Sequence, residues 1–110
     1  MITPLLELHG VNRKDILQLI SQLGCEIELE SSIPKIADGN EFRVFTCRKG
    51  TGFVSGHFIE PQGKPGTILV GLSVSILRLW KFWRISADQR LVWAIRDALI
   101  LHGATLVEED

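Results

Sequence analysis

Hydrophobic and polar positions alternate most strictly over Cys25-Glu26-Ile27-Glu28-Leu29-Glu30. A period of two predicts a strand over 25–30, with an apolar face and a face of three glutamates. Just before it the period is that of a helix. Ile16, Leu19, Ile20 and Leu23 form one stripe, while Lys14, Gln18, Ser21 and Gln22 lie opposite. Residues 12–24 are therefore expected to be a surface helix. Asn12 is placed to cap it, Asp15 favours its positive end, and Gly24 can take the left-handed conformation that ends it.

Further along, Ser31 to Asn40 reads as a loop, broken by Pro34 and Asp38-Gly39. Strands are expected over 41–48 and 53–60, joined by a hairpin connection at Lys49-Gly50-Thr51-Gly52. The turn Pro61 to Gly66 leads to a fourth strand, 67–74, where Ile68, Val70, Leu72 and Val74 share a face. Residues 76–85 give mixed faces as a strand but a stripe of Ile76, Leu79, Trp80 and Trp83 as a helix, so a short helix is expected. Ser86-Ala87-Asp88-Gln89 has a capping-box pattern and opens a second helix that runs to His102 and stops at Gly103. A short strand over 104–107 and an acidic tail complete the chain.

This order predicts a single α+β domain over residues 1–110. Its mainly antiparallel sheet has about five strands, a meander of four plus the short C-terminal one. The N-terminal helix and two C-terminal helices pack on one face. The expected core is Ile16, Ile20, Leu23, Ile27, Leu29, Val70, Leu72, Leu91, Ile95 and Leu99. The shared helix-glycine-strand wording of Leu23 to Ile27 and His102 to Leu106 is the grammar of a helix-to-strand turn rather than a duplication.

Composition adds little to this picture. The 110 residues are 45% apolar and 23% charged, as in an ordinary globular domain, and the net charge is −1. No global field draws the chain to nucleic acid or membrane, so any electrostatic function is local. The longest apolar stretch, around 67–79, is interrupted by Gly71, Ser73, Ser75 and Arg78, which argues against a membrane span. Cys25 and Cys47, the two cysteines, lie in apolar strand-like segments. They read as buried free thiols of a cytoplasmic protein, and the N-terminus lacks the basic and apolar regions of a secretory signal.

Candidate chemistry is sparse. The run Lys49 to Gly56 superficially resembles a glycine-rich phosphate loop, but strands are expected on both sides of it, where such a loop needs a helix N-terminus. His9, His57 and His102 lack metal-ligand spacing, and no cofactor is expected. Glu26, Glu28 and Glu30 read as a solvated strand face, partly neutralised by Arg43 or Lys49 from the next strand.

What departs from the ordinary is one basic, aromatic stretch. All three tryptophans, Trp80, Trp83 and Trp93, fall in it, with Arg78, Lys81, Arg84, Arg90 and Arg96. Around the second helix, Leu91, Val92, Ile95, Ala98 and Leu99 make the main apolar arc, while Trp93 and Ile100 lie off it, between Arg96 and Asp97. The expected binding surface is therefore Trp80, Trp83, Trp93 and Ile100, rimmed by Arg78, Lys81, Arg84 and Arg96. The expected function is binding rather than catalysis. A protein partner comes first, as a homodimer, adaptor, or inhibitor or immunity-type protein. Single-stranded nucleic acid is second, and an enzyme with a dispersed site third.

Overall fold

The computed structural model describes residues 3–30, 35–37, 40–61, 63–74 and 82–108. Among them are seven strands and two helices: β1 (Leu5–His9), α1 (Arg13–Gln22), β2 (Glu26–Glu30), β3 (Lys35–Ala37), β4 (Asn40–Lys49), β5 (Gly52–Pro61), β6 (Thr67–Ser73), α2 (Phe82–Leu101) and β7 (Thr105–Glu108). The strands form one sheet in the order β2-β4-β5-β6-β1-β7, with β3 beside β2 on β4. Every pairing is antiparallel. The α+β class and the antiparallel sheet are as the sequence predicts.

Three details differ from that expectation. The first element is a strand, so the helix over 13–22 is not the N-terminal element. β1 sits inside the sheet between β6 and β7, and its Leu6 and Leu8 are buried. The second addition is β3, which occupies part of the expected loop and pairs with the start of β4. The third concerns the C-terminal half, where the helix boundary expected at Ser86 is absent. α2, described from Phe82, passes through Ser86 without a break. Residues 82–85 of the expected short helix over 76–85 are therefore part of α2, and residues 76–81 lie outside the described residues.

The helix ends follow the chain chemistry. Asn12 accepts from the Asp15 N–H at 2.9 Å, and the Asp15 carboxylate accepts from the Asn12 N–H at 3.1 Å, a reciprocal capping box. Gly24, at φ +88°, closes α1. At the end of α2 the Ala104 N–H donates to the Leu99 carbonyl and Gly103, at φ +101°, donates to Ile100, a Schellman arrangement.

Both helices lie on one face of the sheet. Register fixes which strand residues meet them: Phe45 is opposite Gly56 and Cys47 opposite Val54, while Phe58 is opposite Val70. These side chains join Leu6, Leu8, Ile68, Leu72, Ile16, Ile20, Leu91, Val92, Ile95 and Leu99 in one core. Of the expected core, Leu23 and Ile27 are only partly buried, packed at its margin, and the side chain of Leu29 lies outside what is described. The opposite sheet face carries half-buried His57 and Ile59 and exposed Val44.

Candidate functional site

α2 presents two different surfaces. Asp88, Leu91, Val92, Ile95 and Leu99 point into the core and are buried. On the other side Trp93 and Ile100 are 38% and 41% exposed. They stand seven residues apart, close to two helical turns and so nearly in line. Beside them the Arg96 Nε donates to the Asp97 carboxylate at 3.0 Å. The structure thus brings together Trp93, Ile100 and Arg96. Trp83 and Arg84 belong to the first turn of the same helix, without described side chains, and Arg78, Trp80 and Lys81 lie outside the described residues.

A second feature was not legible as a site in the sequence. The β4–β5 turn and the flank of α2 enclose an open cleft of about 590 Å³, lined by Lys49, Gly50, Thr51, Ala87, Arg90, Leu91 and Ala94. Two contacts hold its walls. The Phe53 N–H donates to the Asp88 Oδ1 at 2.7 Å. One residue earlier, a Cβ on Gly52 would stand 3.0 Å from the Ala87 carbonyl oxygen, so glycine is what lets the helix approach the turn so closely. Ser86 and Gln89, spaced as a capping box, instead lie within α2, and Asp88 between them is turned into the protein. Its buried carboxylate replaces water at a strand N–H, ordering the turn against the helix. The glycine-rich run is the expected hairpin, with Lys49 opposite Gly52 and Gly50 at φ +60°. The sequence signal for the cleft was the flank Ala87-Arg90-Leu91-Ala94, where small side chains recur beside one cation. Its distance in sequence from Lys49 hid the pairing.

On the glutamate face the described ion pairs come from a cation the sequence reading does not name. Arg48 reaches both Glu26 at 3.2 Å and Glu28 at 2.9 Å. Arg43 is opposite Phe58 and so belongs to the helix-bearing face. The register shifts between Ile27 and Leu29, interrupting the strict alternation. That irregularity accompanies the attachment of two successive glutamates of the strand face to one guanidinium. Such exposed pairs contribute on the order of 0.2–1 kcal/mol each.

No family model matches the chain, and no curated protein does. The crystal structure of a conserved protein from Geobacillus kaustophilus aligns over 94% of this chain and 99% of its own, at 12% identity and a TM-score of 0.28. A likeness that distant carries no argument about fold or function.

Among the described residues, Cys47 and His57 do not converge. Cys47 faces the helices, whereas His57 stands on the opposite sheet face with its ring over Gly71. The sheet itself separates them. Burial lowers the His57 pKa and so favours the neutral imidazole. Burial pushes the Cys47 thiol up to about 12, with smaller contributions from Cys25 and Glu28. Burial also raises Cys25, partly offset by Lys49. The thiolate, the reactive form, is therefore scarce at neutral pH. A thiol reagent added to native protein at pH 7 should label Cys47 far more slowly than a free thiol, and label both cysteines promptly after denaturation. Absorbance of the released chromophore measures this; rapid labelling of the native protein would show the core opens at β4.

Proposed function

We propose that this chain is a binding domain rather than an enzyme, and that its partner is a protein, in the simplest assembly a second copy of itself. The observation that carries the reading is the divided surface of α2. One arc is spent on the core, and the opposite side leaves a tryptophan and an isoleucine, Trp93 and Ile100, more than a third exposed. An aromatic anchor with long charged side chains at its edge suits the centre and rim of a desolvated interface. By the sequence pattern, Trp80 and Trp83 extend the apolar part, and Arg78, Lys81, Arg84 and Arg96 extend the rim. A symmetric pairing of copies needs only one such self-complementary patch.

Sedimentation tests this directly. The unaltered chain should show the mass of a dimer, and Trp93→Ala or Ile100→Glu should shift it towards monomer while the far-ultraviolet circular dichroism stays unchanged. A monomer at all concentrations would remove the self-association reading. Single-stranded nucleic acid is the second reading, favoured by the five basic side chains that accompany the tryptophans. It requires an oligonucleotide affinity that falls steeply with salt, and a shallower salt dependence after neutralising Arg78 and Lys81.

A further inference from the structure

The cleft between the β4–β5 turn and α2 has a chemistry of its own, separate from the outer face of the helix. Among the described residues its lining contains two cations, Lys49 and Arg90, one hydroxyl, Thr51, and no carboxylate. Two cations thus stand together in a chain whose net charge is −1. The remaining surface is apolar, from Ala87, Leu91 and Ala94. We propose that this cleft binds a small organic anion, a phosphate ester or carboxylate with an apolar body. Lys49 and Arg90 take the charged group, and the alanine-leucine flank of α2 takes the body.

Three observations support that assignment. The volume, about 590 Å³, exceeds what a bare inorganic anion fills and falls in the range of small-molecule sites. The division of the lining into a few polar groups and an apolar wall matches an amphipathic ligand better than a wholly polar one. The walls are fixed before a ligand arrives: the Phe53–Asp88 hydrogen bond and the Gly52–Ala87 approach tie turn to helix on the cleft's inner side. Cations held on a strand end and a helix, rather than on a mobile loop, lose less entropy when they close on an anion. Arg90 can give a phosphate or carboxylate two parallel hydrogen bonds, and Lys49 a compact charge.

Nuclear magnetic resonance titration of the full chain tests the proposal, with phenyl phosphate, inorganic phosphate and benzylamine as probes. Phenyl phosphate should saturably shift the backbone amides of Gly50, Thr51 and Arg90 and bind more tightly than inorganic phosphate. Benzylamine, with the same ring and the opposite charge, should leave them unmoved. Lys49→Gln and Arg90→Gln should each weaken phenyl phosphate on the order of tenfold, the effect of losing one charge-assisted hydrogen bond. Lys49→Gln, at the exposed turn, is the variant least able to disturb the fold, and its amide spectrum verifies that. The proposal is overturned if phenyl phosphate gives no saturable shift in the cleft. It is equally overturned if benzylamine binds as well, or if folded Lys49→Gln binds like the unaltered chain. Equal affinity for inorganic and phenyl phosphate would remove the apolar part of the assignment. None of these results depends on whether Trp93 mediates self-association.

Discussion

Replacing Phe45 with alanine should destabilise the protein by about 3–5 kcal/mol, the range for removing a buried aromatic ring. Phe45 is fully buried and stacks on Phe58 with ring centroids 4.8 Å apart. Its ring also packs closely against the backbone of Gly56 on the neighbouring strand, where a Cβ would come within 2.2 Å of the Phe45 Cζ. The ring therefore fills space that the facing residue cannot fill, and truncation leaves a cavity with little to collapse into it. The reverse change is informative too. Gly56→Ala should cost about 1–3 kcal/mol through overpacking. Combined with Phe45→Leu, it should cost less than the sum of the two separate changes, because the smaller side chain makes room. Denaturant unfolding of the set measures the coupling. A cost below about 1 kcal/mol for Phe45→Ala would mean that the ring is not part of the core. Against a typical total stability of about 5–15 kcal/mol, the expected loss is a large share.

Ile95→Ala should cost about 2–5 kcal/mol. Ile95 is the fully buried midpoint of the α2 arc that faces the sheet, with Leu91 and Leu99 one turn to either side. Its removal takes apolar surface from the contact of α2 with β5 and leaves the helix held mainly by its ends. The same experiment reports the rotation of the helix, since the outward positions are Trp93 and Ile100. If Ile95→Ala changed stability by less than about 0.5 kcal/mol while Trp93→Ala cost several times more, the helix would be turned the other way about its axis. Urea midpoints at constant slope separate a change in stability from a change in the denatured state.

The parts of the fold legible in the sequence are those whose signal is local. β4, β5 and β6 were marked by the glycine-rich turn at 49–52 and the proline-bounded turn at 61–66, and α1 by Asn12, its stripe and Gly24. β1 was missed because Leu5-Leu6-Glu7-Leu8-His9 is short and lacks β-branched residues, and its leucines become a strand only through long-range pairing with β6 and β7. β3 was hidden by Pro34 and Asp38-Gly39, read as loop formers although an Asp-Gly pair is equally a hairpin signal. The false helix boundary at Ser86 has a different cause. A Ser-x-x-Gln spacing marks a helix start but fits a helix interior equally well, as Ser86 to Gln89 do in α2, and no local pattern distinguishes these two uses. For the candidate site, the wheel correctly separated Trp93 and Ile100 from the core arc, since helical periodicity is local. The convergence of Lys49 and Arg90 is a tertiary fact.

The position of β1 has a consequence for how the chain acquires its structure. Leu6 is opposite Val70 on one side and Leu106 on the other, so the first described strand finds both its neighbours more than fifty residues further along the chain. The meander from β4 to β6 closes only short loops and can assemble while β1 is still unpaired. Inserting β1 requires ordering the long intervening segment, and β7 can dock only after that. Folding should therefore proceed at the pace of distant contacts, slower than the short turns alone would suggest. During synthesis, Leu6 and Leu8 remain unpaired until β6 has emerged some sixty residues later, which leaves β1 open to premature association over that interval.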